Sequence, residues 1–462
     1  MSGQAPTPGL EGLAPGSEGL HGVAPPELPR RLPYHALQHR DYRRLWGSQF
    51  VSLVGSQMQV VALNWHIYLL TGSALALGFV GLTRVLPIIL FSLTGGVVAD
   101  RQDRRKVMFA AQSVMTLASL ALAALTLLGR DRLWALYLLN AVTAAASAFD
   151  NPARQALVPR LVPKHDLPGA LSLNLTAFHG AMIAGPGLAG LLIAGAGAGL
   201  LPSTSHLAAA GAGRDTTTLA WLYGLNALSF VAVLTALATM RTSGALAPDA
   251  GPAPAPLEAL RQGLRFVFTT PIMVWTMALD FFATFFSGAM SLLPIFADRV
   301  LGVGPAGYGW LVAAPALGAV LGSLYTSLRP LPRRQGVVLL WSVAAYGAAT
   351  IVYGLSRSYV LTLLALAGTG LADLVSTVIR QTLRQLLTPD ALRGRMTSVN
   401  MIFFMGGPQL GELEAGLVAS LFASATLGVT VSVVSGGVAT LLATLLVAAR
   451  ATVVRRYQGA TS

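Results

Sequence analysis

The stretch "RQALVPRLVP", Arg154 to Pro163, returns 226 residues later as "RQTLRQLLTP", Arg380 to Pro389. In the same frame "SLN" (Ser172 to Asn174) meets "SVN" (Ser398 to Asn400), and "GAMIAGPGLAG" (Gly180 to Gly190) meets "GGPQLGELEAG" (Gly406 to Gly416). Across 154–190 against 380–416, twelve of 37 positions are identical without a gap. Leu, Ala and Gly match easily by chance in an apolar chain. Arg, Gln, Pro and Asn matching in one frame point instead to a duplicated unit.

Composition says where that unit lives. The chain is 54% hydrophobic and only 11% charged, with a mean hydropathy of +0.64. Soluble domains carry about 25% charged residues, so this is an integral membrane protein. A formal charge of +13 would suggest nucleic acid in a soluble chain. Here the basic residues sit in short loops between apolar runs, and no nucleic-acid partner is expected. There is no Cys, which excludes thiolate metal sites and cysteine nucleophiles. Residues 1–40 are rich in Gly, Pro and Ala, have no signal-peptide pattern, and are expected to form a disordered cytoplasmic tail.

A membrane span needs about 20 mostly apolar residues. Twelve segments qualify: 45–70, 75–98, 107–128, 133–150, 169–195, 219–240, 272–297, 305–327, 336–355, 359–378, 396–422 and 427–449. An even number puts both termini on one side. Of the 31 Lys and Arg residues, 25 then fall on the side of the termini and five on the other, with Arg84 inside a span. That bias predicts cytoplasmic termini. The repeat offset covers six spans, so the halves run parallel in the membrane, as in transporters whose substrate site lies between the halves near mid-membrane. The expected organisation is a first half at 41–240, a cytoplasmic linker at 241–271, a second half at 272–450 and a tail at 451–462. Within the linker, Leu257, Leu260, Leu264 and Phe268 have the spacing of an amphipathic helix.

The loop after the second span reads "GGVVADRQDRRK", Gly95 to Lys106. Gly96, Asp100, Arg101, Arg105 and Lys106 resemble the loop signature of the major facilitator superfamily, with Asp103 in place of a Gly. That departure, and "HRDYRRLWGSQFVSLVGSQM", "NWHIYLLTGSALALG" and "FDNPARQALVPRLVP", resemble its drug- and siderophore-exporting branch. The resemblance implies an all-α fold of twelve transmembrane helices in two parallel six-helix pseudo-repeats. It implies that Gly96, Asp100, Arg101, Arg104, Arg105 and Lys106 form a latch that closes the cytoplasmic side when the cavity faces outward. At the pseudo-repeat position Gly322 is kept but Thr326 replaces the Asp, so the second latch is degenerate. In span five, Gly185, Pro186 and Gly190 resemble a motif that goes with antiport and export; small residues there also serve close helix packing. The Arg that many proton-coupled exporters carry in span four is absent from "LWALYLLNAVTAAASAFD".

Charge inside a bilayer costs about 2.5–3.5 kcal/mol even on lenient scales, so intramembrane polar residues are the site candidates. Glu412 and Glu414 in span eleven, Asp280 in span seven, Asp373 in span ten and Arg84 in span two are candidates for transport and proton coupling. Glu412 and Glu414 are two residues apart, about 200° around a helix. Glu414 falls on a face with Asn400, Gly407 and Gly411, and Glu412 with Met405, Gln409 and Gly416. Glu412 stands where the first half has Pro186, and Glu414 where it has Leu188, so the carboxylates are what the second half adds. Gln57 with Asn64, and His66 with Gln59, each share a face of span one; Gln57, Asn64, His66 and Gln409 are cavity candidates. Asp150 is expected to end span four and cap the following turn.

The expected function is a secondary active transporter: proton-coupled efflux of a drug-like or siderophore-like molecule by alternating access. An importer or uniporter on the same fold is the alternative, and a non-transporting scaffold or sensor a distant one. No GxxxxGK[ST], GxSxG or HExxH pattern occurs. Neither an enzyme nor a metal site is expected, and no cofactor. A monomer in the plasma (inner) membrane is the expected form.

Overall fold

The computed structural model describes residues 33–197, 216–242, 256–328, 333–389 and 393–458. Among them the structure is helical throughout. The first half comprises α1 (Arg40–Thr71), α2 (Ala74–Arg101), α3 (Arg104–Leu127), α4 (Leu133–Leu161), α5 (Leu167–Gly197) and α6 (Thr217–Thr239). A linker helix α7 (Pro256–Thr269) precedes the second half. There the seventh span is composite: α8 (Pro271–Phe286), a 3-10 turn, the short α9 (Leu293–Ile295) and a π-helical turn Phe296–Val300. Five further helices follow: α10 (Gly304–Leu328), α11 (Gln335–Leu355), α12 (Tyr359–Leu387), α13 (Arg393–Ser420) and α14 (Ala425–Arg450), then a terminal turn, α15 (Thr452–Arg455).

Among the described residues, ten segments are long and apolar enough to cross a membrane on those criteria alone. The other two of the twelve are α1 and α13, of 32 and 28 residues. Both fall short on apolarity because they carry the polar side chains discussed below. The outer surface of the helices is apolar, as a surface facing a bilayer is: Trp341 is 72% exposed and Leu445 64%.

The halves repeat one packing scheme. α2 packs on α4 and α3 on α6 in the first; α10 packs on α12 and α11 on α14 in the second. The halves meet along two seams, α2 with α13 and α5 with α10. Shifting each helix by six spans exchanges the seams, as parallel pseudo-repeats require.

Three expectations change. α4 does not stop at Asp150 but continues to Leu161, and α12 continues to Leu387. Hydropathy ends the first of these spans at Asp150 and the second just before Arg380, yet both charges are satisfied internally. Asp150 is 4% exposed and accepts a hydrogen bond from Gln112 at 3.0 Å; it caps nothing. The tail expected to be disordered to residue 40 is structured from Pro33: Pro33–Gln38 forms a 3-10 turn that packs on α5 with Ala36 buried. On α7, Val267 and Leu264 face the core of the second half while Phe268 is exposed, so the apolar face is rotated from the expected one. Leu257 and Leu260 lie outside the described side chains.

Candidate functional site

The seam between α2 and α13 is built on glycine. A Cβ on Gly81 would lie 2.2 Å from the Gln409 carbonyl oxygen and 2.9 Å from Glu412 Oε2; one on Gly78 would lie 2.8 Å from the Glu412 carbonyl and 3.0 Å from Gly416 Cα. Neither position has room for a methyl group. These residues lie toward the ends of α2 and α13 remote from the termini, called here the far side. The second seam repeats the device: Gly190 and Gly309 would each place a Cβ about 2.9 Å from the other's Cα.

Glu412 therefore crosses from one half to the other. Its half-buried carboxylate lies over Gly81, and Arg84, one turn along α2, is the cation acting on it. Tyr308 of α10 is 1% exposed and lies within reach of the Glu412 charge and of the Asn64 side chain. Among the described residues, Asn64 Oδ1 and Gln409 Oε1 are buried without a hydrogen-bond partner. Trp65 stacks on Tyr308 at 5.5 Å between ring centroids. The arrangement is an acid, a guanidinium cation and two unsatisfied amide oxygens contributed by opposite halves, with Tyr308 beside them and Trp65 stacked on its ring.

Glu414 takes the other face. Gly407 and Gly411 on that face pack on Phe281, Thr284 and Phe285 of α8, and Glu414 Oε2 is buried with no partner among the described residues. Asp280 lies apart from both glutamates, paired with Arg380 at 2.6 Å; Asp373 is 3.6 Å from the same guanidinium. Arg380, counted with the loop by hydropathy, is 6% exposed inside α12. Its repeat partner Arg154 lies inside α4 and donates to Gln49 at 2.8 Å. Arg84 is thus joined by Arg154 and Arg380 as basic residues within long helices.

Gln57 and His66 diverge in the same way. Gln57 Cβ lies against Gly185 of α5. His66 has no exposed surface; its ring meets Tyr223 Oη at 3.1 Å and Asp131 Oδ2 at 2.8 Å. It belongs to the core of the first half rather than to a cavity. That hydrogen bond from His66 outweighs burial and holds Asp131, in the loop before α4, below the usual carboxylate range. At the opposite end of α1, burial raises the Asp41 carboxyl, but hydrogen bonds from Thr242 and Arg241 prevail and lower it.

Gly185, Pro186 and Gly190 serve two contacts. Gly185 meets α1, while the Pro186 carbonyl and Gly190 meet Gly309 of α10. In the loop after α2, Asp103 caps α3 by accepting from the Arg105 amide at 2.9 Å. The Arg105 guanidinium donates to the Ala238 and Met240 carbonyls at the end of α6, both at 2.9 Å. It satisfies orphan carbonyls within its own half. Lys106 is exposed and Arg104 half-buried; the surroundings of Gly96 and the side chains of Asp100 and Arg101 lie outside the described residues.

The sequence reading missed Tyr68, Asp298, Arg299 and Tyr308. Tyr68 of α1 donates to Asp298, and Arg299 donates to Tyr68 Oη at 3.4 Å and lies over its ring at 6.0 Å. These ties also join the halves on the far side. The aromatic density of "NWHIYLL" was the available signal.

A family model described as transmembrane secretion effector, of the major facilitator type, matches residues 32–458. Enterobactin exporters of Shigella boydii and Escherichia coli are 27% identical over 378 residues, covering 82% of this chain and 85% of theirs. Among solved structures, a bacterial homologue of the human lysosomal transporter Spinster, inward-facing and occupied, aligns with a TM-score of 0.69 at 16% identity, over 93% of this chain and 100% of that one. A bacterial homologue of the iron transporter ferroportin, also inward-facing, aligns at 0.63 and 16% identity, over 88% and 97%. At those identities the likeness shows the fold.

Proposed function

The chain belongs to the transmembrane secretion effector family of the major facilitator superfamily, and from that premise we propose that it exports a siderophore-like or drug-like small molecule by proton-coupled alternating access. The observation that carries this reading is the α2–α13 seam, where Glu412 of one half lies over Gly81 of the other, one turn from Arg84, with Tyr308, Asn64 and Gln409 close by. The substrate class is drawn from the named activity of the enterobactin exporters. The termini are placed in the cytoplasm by the Lys and Arg bias, in the plasma (inner) membrane, and the protein works as a monomer.

In this reading the far side is closed, as the contacts along both seams indicate, and the cavity opens toward the termini. Glu412 ionised attracts Arg84 and holds the seam. Substrate beside Arg84 displaces that attraction, and the far side parts to release it. Glu412 then takes a proton from the far side, the seam re-forms around the neutral acid, and the proton leaves to the terminal side, so protons move inward as substrate moves out. An anionic or polyhydroxylated substrate binds beside Arg84, where the free Asn64 and Gln409 amide oxygens accept hydrogen bonds from substrate hydroxyls. The Arg101 to Lys106 loop latches the terminal side when the far side opens.

Everted membrane vesicles test direction and coupling together. Labelled catecholate and hydroxamate siderophores and a lipophilic dye are offered with and without an inward-acid pH gradient. Accumulation of one of them that collapses with the gradient is expected. Gradient-independent uptake excludes proton coupling, and uptake by right-side-out vesicles instead identifies an importer.

A further inference from the structure

The outer face of the first half carries a groove that the seam does not use. It lies between α2 and α3, with α4 as its floor, and measures about 800 Å³, within the range of small-molecule sites. α2 and α3 both pack on α4 but barely on each other. Small side chains keep the gap open: Ala110 and Ala111 of α3, and Ala141, Ala145 and Ala146 of α4. Pro87, inside α2, lines the inner end.

The groove opens on the bilayer and not on the path between the halves. On α3, Lys106, Ala110 and Val114 are four residues apart and share one face, which runs on into Leu117, 66% exposed. On α4, Ala141 and Ala145 continue the face of Trp134 and Leu138, both exposed. Lys106 to Val114 is about 12 Å along the helix axis, close to one leaflet of a hydrocarbon core about 30 Å thick. The two ends differ in chemistry. Gln102 and Lys106 stand exposed at the terminal-side mouth, and the other twelve lining residues are apolar.

Charge identifies the occupant. Among the described residues no carboxylate pairs with Lys106. Asp103 accepts from the Arg105 amide, and the Arg105 guanidinium is taken by the α6 carbonyls. Lys106 is therefore a cation at headgroup depth above an apolar slot one leaflet deep. We infer that the groove is a binding site for one anionic phospholipid of the terminal-side leaflet. An acyl chain fills the slot between α2 and α3, the Lys106 ammonium holds the phosphate, and the Gln102 amide donates to the headgroup. A zwitterionic lipid fits the slot as well, but its own ammonium meets Lys106 with repulsion. The lipid completes the packing of α2, whose other end carries Gly81 of the seam. The site goes beyond the export reading and does not rest on it.

Native mass spectrometry of the full-length protein, released from nanodiscs of mixed phosphatidylglycerol and phosphatidylethanolamine, tests the proposal. The wild type is expected to keep one phosphatidylglycerol after other lipids are stripped. Lys106→Gln should lower that retention about five-fold, the usual effect of one basic residue at an anionic membrane surface, and leave phosphatidylethanolamine unchanged. Val114→Trp puts a large ring into the groove from an exposed position, so it should fold and lose the retained lipid. Leu117→Trp, on the same face but beyond the groove, should keep it. Equal retention of the two lipids by the wild type, or full retention in Val114→Trp, would overturn the proposal. So would equal loss in Val114→Trp and Leu117→Trp, or release of the lipid by the siderophores or dye offered to vesicles, which would make the groove a substrate path. Retention as expected in a protein that exports nothing would count against the export reading alone.

Discussion

The hydroxyl of Tyr68 on α1 donates to the carboxylate of Asp298 in the π-helical turn of the seventh span, so a phenol from one half is bound to an acid from the other on the far side. A π-turn is a common mark of a functional position, and here it presents Asp298 and Arg299 together to α1. Tyr68→Phe keeps the ring and removes the bond. A hydrogen bond to a charged group contributes about 1.5–3 kcal/mol, so the far-side-open population should rise roughly ten- to a hundred-fold. The chain has no Cys, so cysteines at Thr71 and Leu421 can carry spin labels without background. A longer distance component is expected in Tyr68→Phe; an unchanged distribution would show that this pair does not hold the closed state.

Gly81 makes a sharper steric prediction. Its hypothetical Cβ lies 2.2 Å from a backbone carbonyl, whereas that of Gly47 on α1 has nothing within 4 Å. Gly81→Ala should prevent the seam from closing and reduce transport strongly. Gly47→Ala should leave transport alone and raise stability by about 0.5–1 kcal/mol, the ordinary helix effect. Equal behaviour of the two variants in vesicle transport and thermal melts would refute the close-packing role.

Asp131 sets an acid limit on the first half. Its carboxyl is held below the ordinary range by the His66 hydrogen bond, so its contribution to stability is complete above the unfolded-state value of about 4. The contribution is lost as pH falls through the lower folded value. Wild-type melting temperature should therefore drop on acidification below about pH 4, and Asp131→Asn should flatten that drop while lowering stability at neutral pH. A variant with the wild-type acid profile would remove the pair from the account.

Arg105 is expected to be a structural residue in the conformation seen here. Its guanidinium covers carbonyls at the end of α6. Arg105→Gln should cost about 0.3–1 kcal/mol, the usual value of a cation at a helix C-terminus, read as a small loss in melting temperature. A loss several times larger would mean that it makes a further contact.

Much of the site was legible wherever helix rotation alone decides. Two-residue spacing separates Glu412 from Glu414, and the structure puts one over Gly81 of α2 and the other on the face that packs on α8. The same two-residue spacing separates Asn64, near Tyr308, from His66, in the core. What rotation cannot reveal is the partner. Arg380 reads as a loop residue because hydropathy sees its charge and not the Asp280 carboxylate that neutralises it. Asp150 reads as a helix end because Gln112 is on another helix. Tyr68 and Asp298 are 230 residues apart, and only the joining of the two halves makes them neighbours.

The most direct test of the coupling role of Glu412 compares wild type and Glu412→Gln in proteoliposomes, measuring substrate accumulation driven by an imposed pH gradient against substrate exchange with no gradient. The account predicts that Glu412→Gln loses gradient-driven accumulation while correctly folded protein still binds and exchanges substrate. Accumulation at the wild-type level in Glu412→Gln, with the same dependence on the gradient, would contradict it.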